Sequence, residues 1–280
     1  MSEPPRPCLL GVPWDGSSSF ARGAAAAPPL IRRALWSPST NSATEVGVAI
    51  EPTSVEDAGD LALDDDGART RAAIEDAAGA ILARHGLPVV LGGDHSITYP
   101  VLRAFRDRPV ATILHFDAHG DLYDEFPLPV PGQPPGLGDA YSHACPFARI
   151  MEDGLTIRLV QVGIRTTTPH LARQADRFGV EVYGMERWRD VPVEALEGPL
   201  YVSLDLDGLD PAFAPGVAHP EPGGLSTREV VGLLHRIRAP IVGVDIVEYN
   251  PQTDHHDLTA RVAAKLLKEV VAVAIRNGRA

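Results

Sequence analysis

A chain of 280 residues, 44% of them hydrophobic, is long enough for one large α/β domain with a substantial core. A formal net charge of -12 argues against nucleic acid or an anionic membrane as the main partner and is compatible with a cationic small molecule. Two distant cysteines, Cys8 and Cys145, leave no disulfide framework. No signal pattern stands in residues 1–7 and no apolar run reaches the ~18 residues of a membrane span, so a cytoplasmic location is expected.

Taken in chain order, residues 8–13 form the first short, mostly apolar run, and residues 36–57 carry no periodicity and read as irregular. Residues 69–84 are Ala-rich with apolar spacing near 3.6, a helical pattern. Further short apolar runs at 88–92, 111–116, 158–164, 200–206 and 241–247 read, like 8–13, as strands buried on both faces of a parallel sheet. Residues 126–139, rich in Pro and Gly, are either a plain surface loop or a rim over the active site. Ser226 and Glu229 open a helix over 226–238 with a capping-box arrangement, and 258–277 is a long amphipathic stretch with Gly278 as its stop. Strands alternating with helices, with no repeat and no linker, specify a single three-layer α/β domain over 1–280, a doubly wound, mostly parallel sheet with helices on both faces. Ligands bind such sheets at the carboxyl ends of the strands.

Three polar clusters stand at those ends. Gly92-Gly93-Asp94-His95-Ser96 turns sharply and leaves His95 at the sheet edge, where a histidine by itself is more often a structural residue. In His115-Phe116-Asp117-Ala118-His119-Gly120-Asp121, extended chain would point Asp117, His119 and Asp121 the same way, a comb of metal-competent groups rather than a set of exposed loop residues. In Ser203-Leu204-Asp205-Leu206-Asp207, two carboxylates on one face repel, and one stays protonated unless a cation neutralises them. Asp210, before Pro211, suits a turn cap or an ion pair. Four aspartates and two histidines favour Mn²⁺ and similar ions over structural Zn²⁺. Four carboxylates balance two divalent ions, which lie ~3.5–4 Å apart in such sites and lower the pKa of a shared water.

In this order, Gly-Gly-Asp-His-Ser, Asp-Ala-His-x-Asp and Ser-x-Asp-x-Asp-x-x-Asp-Pro resemble the three signature motifs of the ureohydrolase (arginase/agmatinase) family. The likeness runs over nearly the whole chain, and segments 27–32, 39–42, 141–144, 147–152 and 210–225 resemble the plant-type arginases in particular. The resemblance implies an arginase-like fold of about eight strands. It implies two Mn²⁺ ions, with Ni²⁺, Co²⁺ or Fe²⁺ as substitutes, and a homotrimer or homohexamer. His95 would bind one ion and His119 the other. Asp117 and Asp205 would bridge them, with Asp121 on the first ion and Asp207 on the second. Asp121 would also hydrogen-bond the attacking water, His143 would shuttle a proton, and Glu248 would grip a cationic guanidino substrate. From the residues alone, His143 reads as a surface histidine and Glu248 as a strand-end ion pair.

The expected reaction is hydrolysis of arginine to urea and ornithine. An agmatinase or another guanidino-compound hydrolase is the alternative, and a non-catalytic arginase-like binding protein the remote one. The chain departs from animal arginases at Leu122-Tyr123-Asp124-Glu125, which lacks an Asn that helps hold the amino-acid end, and from plant enzymes at Gly120, where they usually carry Pro. Loop 126–139 also exceeds the plant length. Asp124 and Glu125 either stand in the approach of an amine-ended tail or are simply solvated.

Overall fold

In the computed structural model, which describes residues 6–127 and 138–278, the six apolar runs become the six inner strands of one sheet. In chain order the strands are β1 (Arg6–Gly11), β2 (Glu56–Asp60), β3 (Gly86–Leu91), β4 (Val110–Phe116), β5 (Phe126–Pro127), β6 (Gly138–Asp139), β7 (Thr156–Val162), β8 (Glu181–Tyr183), β9 (Leu200–Asp205) and β10 (Ile241–Val247). Eight of them form a sheet of order β2-β1-β3-β10-β9-β4-β7-β8, in which every pairing is parallel. The short antiparallel pair β5–β6 flanks residues 128–137, so most of the loop expected at 126–139 lies outside the described residues.

Both faces of the sheet are covered, which is why its inner strands read as unbroken apolar runs. In β4, Leu114 and Phe116 enter one core while Ile113 enters the other; in β9, Val202 and Leu204 oppose Tyr201 in the same way. Helices α1 (Ala27–Leu35), α6 (Thr227–Arg236) and α7 (Leu258–Asn277) fill the first face with side chains such as Ile31, Leu234 and Leu267. Helices α2 (Gly67–Ala83), α3 (Thr98–Arg103), α4 (Pro146–Glu152) and α5 (Pro169–Phe178) fill the second with Ile74, Leu102, Phe147 and Leu171. Each such side chain contributes ~1.5–3 kcal/mol on full burial.

Ser226 caps α6 as expected: its hydroxyl accepts from the Glu229 amide and the Glu229 carboxylate accepts from the Ser226 amide. Helix α7 ends at Asn277 as expected, but Gly278 has φ -75 and so supplies no left-handed turn. The edge strands β2 and β8 were not expected. Their sequences, Glu-Asp-Ala-Gly-Asp and Glu-Val-Tyr, lie at the rim and lack the apolar run that marks a buried strand. Residues 36–55 are irregular as expected and are fastened to α7, where Lys268 donates to the Asn41 carbonyl at 2.8 Å and Glu269 accepts from the Glu45 amide at 3.1 Å. Among the described residues, no helix is long and apolar enough to cross a membrane.

Candidate metal centre and active site

Four adjacent strands, β3, β10, β9 and β4, end side by side at the centre of the sheet, and each delivers polar residues just past its last apolar one. After β3 the chain packs tightly on the turn that follows β1. A Cβ on Gly93 would stand 1.6 Å from the Trp14 carbonyl oxygen, so only glycine fits there. Asp94 holds the turn by accepting from Ser17 and Ser96 amides at 2.8 and 3.1 Å. His95 is thereby buried at the sheet edge.

The comb after β4 is assembled by turning, not by strand alternation. Strand β4 stops at Phe116; Asp117 then accepts from the His119 amide at 2.6 Å, and Asp121 sits in the left-handed region at φ 49. Asp121 therefore faces His95 while His119 faces Asp207, with their shared neighbour Asp117 between them. At the end of β9, likewise, Asp205 is the last strand residue and caps a short 3-10 turn by accepting from the Asp207 amide at 2.8 Å. A Cβ on Gly208 would stand 2.8 Å from the Asp117 backbone nitrogen, so this turn closes against the β4 end only with glycine.

The outcome is one continuous cluster. The Oδ2 atoms of Asp205, Asp121 and Asp117 stand 3.0, 3.1 and 3.3 Å from His95 Nδ1, and Asp207 Oδ2 stands 3.1 Å from His119 Nδ1. Two His/Asp groups have the compactness a metal ion requires, His95 with His115 and Asp117, and His119 with Asp117 and Asp207. Asp117 belongs to both. Nδ1 of His95 is buried with no hydrogen-bond partner despite its three carboxylate neighbours. Lone-pair atoms that face one another without hydrogen bonds are stabilised by a cation, so the donor set fits a two-ion centre. The charges agree. Burial, then the charges of Asp207 and Asp117, push Asp205 well above the usual carboxylate range. Burial, then Asp117, raises Asp207 to about 7. Burial opposes ionisation of Asp117 too, but His115 and its neighbours hold it well below. This is the repulsion anticipated for the Asp205-x-Asp207 pair.

Glu248 and His143 adjoin the cluster. Glu248 follows β10 with φ 63, a left-handed conformation that a non-glycine residue keeps only where its surroundings enforce it. Its Oε1 accepts from the His95 amide at 2.8 Å and from His143 Nδ1 at 3.1 Å. Burial opposes the Glu248 charge, but His143 and the His95 amide keep its pKa below the ordinary value. Burial likewise opposes a proton on His143, but Glu248 prevails and lifts it to about 9. Neither is a surface residue: Glu248 is 4% exposed and His143 9%. Asp210 is a turn cap, accepting from the amides of Ala212 and Gly223 at 2.9 and 2.7 Å. Asp124 is engaged away from the cluster by Gln174 and Arg177 at 2.6 and 3.2 Å.

Several residues of the site were assigned no role from the sequence, although His115 and His219 lie inside segments quoted there. His219 stacks on His143 with ring centroids 5.3 Å apart, meets His119 edge-on at 6.1 Å and lies beside the exposed ring of Phe20. His115 Nε2 lies 2.7 Å from Asp117 Oδ2. Arg165 donates to the carbonyls of Asp207, Gly208, Leu209 and Glu221 at 2.6–3.3 Å and so holds the loop that carries Asp207. A polar side chain inside an apolar strand, as at His115, is a signal the sequence does offer.

The Arginase family model matches residues 6–272. Arginase 1, mitochondrial, of Arabidopsis thaliana is 48% identical over 94% of this chain and 80% of its own length. Guanidinopropionase of Pseudomonas aeruginosa is 35% identical over 95% of this chain and 85% of its own. The solved arginase from Medicago truncatula superposes with a TM-score of 0.87 at 44% identity, over 95% of this chain and 86% of that one. The cytoplasmic expectation is corrected by the Arabidopsis relative, a mitochondrial protein by name. Compartment is read from address segments, so acidity and few cysteines in a folded domain do not decide it. The likeness covers the sheet, both helix layers and all three clusters at the strand ends, and the chain belongs to the arginase family of metal-dependent ureohydrolases.

Proposed function

We propose that this protein hydrolyses arginine to urea and ornithine at a dinuclear manganese centre, with residues 1–280 acting as one ureohydrolase domain. The observation that carries the reading is the convergence of three carboxylates on the unpartnered His95 Nδ1. In this reading His95 and Asp121 would hold one ion, His119 and Asp207 the other, and Asp117 and Asp205 would serve both. Bound there, two such ions would supply an activated water at neutral pH and stabilisation of the negative charge that develops at the guanidinium. Glu248, kept anionic by His143, grips the planar cation by charge-assisted hydrogen bonds and sets its carbon against the cluster. His143 stores a proton at neutral pH and delivers it to the leaving amine, with Ser19 Oγ at 2.8 Å from its Nε2 fixing the ring. Asp121 orients the attacking water. Family membership supports a homotrimer or homohexamer.

The engagement of Asp124 by Gln174 and Arg177 removes one of the two carboxylates that would have welcomed an amine-ended tail, which favours arginine over agmatine. The test is urea release by Mn²⁺-loaded protein with arginine, agmatine and shorter guanidino acids in parallel. Preference for arginine is expected. Preference for another guanidino compound overturns the substrate and keeps the chemistry, and no urea from any of them, with both ions bound, overturns the function.

A further inference from the structure

Asp245 lies in the middle of β10, fully buried, and has no part in the chemistry above. It accepts from three hydroxyls: Ser203 Oγ on Oδ1 at 2.6 Å, and Tyr201 OH and Thr98 Oγ1 on Oδ2 at 2.8 and 2.9 Å. A carboxylate only accepts, so the single Ser203 hydrogen is committed to Asp245. Ser203 Oγ also stands 3.0 Å from His95 Nε2, and toward that atom it is left with lone pairs alone. Nε2 must therefore carry a hydrogen, and Nδ1 is the only nitrogen of His95 able to offer a lone pair. Nδ1 is the atom that faces the three carboxylates.

The neighbouring imidazole is set the opposite way. Gly120 O can only accept, so the Gln161 atom 2.7 Å from it is the amide nitrogen. That nitrogen also donates to His115 Nδ1 at 3.1 Å, which places the His115 hydrogen on Nε2, against Asp117 Oδ2 at 2.7 Å. His115 thus shows the cluster a hydrogen, whereas His95, with a hydrogen held on Nε2, has Nδ1 as the one nitrogen from which it can offer a lone pair.

We propose that the Asp245–Ser203 pair is a positioning device that fixes Nε2–H on His95 and so selects His95, rather than the adjacent buried His115, as a metal ligand. The proposal rests on the metal-centre reading and adds residues to it. Second partners of ligating histidines typically matter 10–100-fold in metal affinity. In Asp245→Asn the side-chain amide donates to Ser203 Oγ, Ser203 turns its hydrogen to Nε2, and Nδ1 loses its lone pair. In Ser203→Ala, Nε2–H is left buried without an acceptor. Ser203→Thr keeps the hydroxyl.

The experiment combines Mn²⁺ titration with two-bond ¹⁵N–¹H correlation spectra of ¹⁵N-histidine-labelled protein, metal-free and loaded with diamagnetic Zn²⁺. In the wild type, Nε2 of His95 is expected to be protonated in both states. One of the two Mn²⁺ affinities is expected to fall about 10–100-fold in Asp245→Asn and Ser203→Ala and to be restored in Ser203→Thr. Matched metal-free melting temperatures separate this from a folding defect. An unprotonated Nε2 in the wild type overturns the proposal, whatever the variants do. Unchanged Mn²⁺ affinities in folded Asp245→Asn and Ser203→Ala overturn it too. A wild type that holds no Mn²⁺ while its Nε2 is protonated sinks the metal-centre reading instead, so the two failures are distinguishable.

Discussion

The two halves of the candidate centre are built differently. The half around His95 is sealed: its imidazole is fully buried, its outer nitrogen is backed by Ser203 and Asp245, and its amide is tied to Glu248. The half around His119 lies at the mouth. The His119 side chain is 27% exposed, its ring meets His219 in a T-shaped contact, and no buried relay of the His95 kind stands behind it among the described residues. Preorganised ligands lose less freedom on binding. The difference teaches that one donor list can make two unequal sites, and of two bound ions the one at the mouth is expected to leave first under a chelator.

The largest effect is expected where the halves meet. Asp117 belongs to both His/Asp groups, so Asp117→Asn should remove both ions together and lower urea release by roughly three orders of magnitude or more, the scale of losing a central catalytic group. Metal analysis after dialysis checks this, and a variant that keeps one ion at full affinity breaks the picture of two halves joined by one carboxylate.

A smaller effect probes the sealed half through pH. The raised pKa of His143 means that the proton it is proposed to deliver is present at neutral pH and is lost as pH rises through about 9. The sign is the same for stability: this group's contribution is complete below its unfolded pKa of ~6.5 and disappears as pH climbs through the folded value. The wild-type rate should therefore fall on the alkaline side near 9. His143→Asn should run about a hundredfold slower and lack that limb. An identical pH–rate profile in the variant would remove His143 from the chemistry. The smallest effect belongs to the mouth. His219 touches neither proposed bridging carboxylate, so His219→Ala should raise KM several-fold, the scale of ~1 kcal/mol of lost contact, and leave kcat within about twofold. A collapse of kcat instead would move His219 into the catalytic machinery.

The sheet interior and the three polar clusters were legible because both obey strong rules. A strand covered on both faces must be apolar throughout, and a polar cluster at its carboxyl end has no packing reason to exist. The edge strands β2 and β8 escaped because rim strands need no apolar run. Helices α1, α4 and α5 escaped although proline stands in the first turn of each, a start signal that weighs more than their short length suggests. Within the site, strand alternation was the wrong reason for a right grouping, since Asp117–His119–Asp121 is brought together by an aspartate turn and a left-handed residue. Arg165, Gln161 and His219 act through contacts between distant segments, and no local spacing records those. Asp245 was the exception: a carboxylate in the middle of a fully buried strand needs a partner, and its position alone was a question worth asking.

Strand β10 is the last strand of the chain, yet it lies between β3 and β9 at the centre of the sheet. During synthesis from the N-terminus, β3 and β9 can be present for dozens of residues with a vacant lane between them. Each then shows an unpaired, apolar strand edge, the kind that templates association with another chain. Glu248 arrives only when that lane is filled, directly after Val247. The arrival of the proposed guanidinium grip and the closing of the sheet are therefore one event, and a ribosome-bound chain stopped short of β10 has neither.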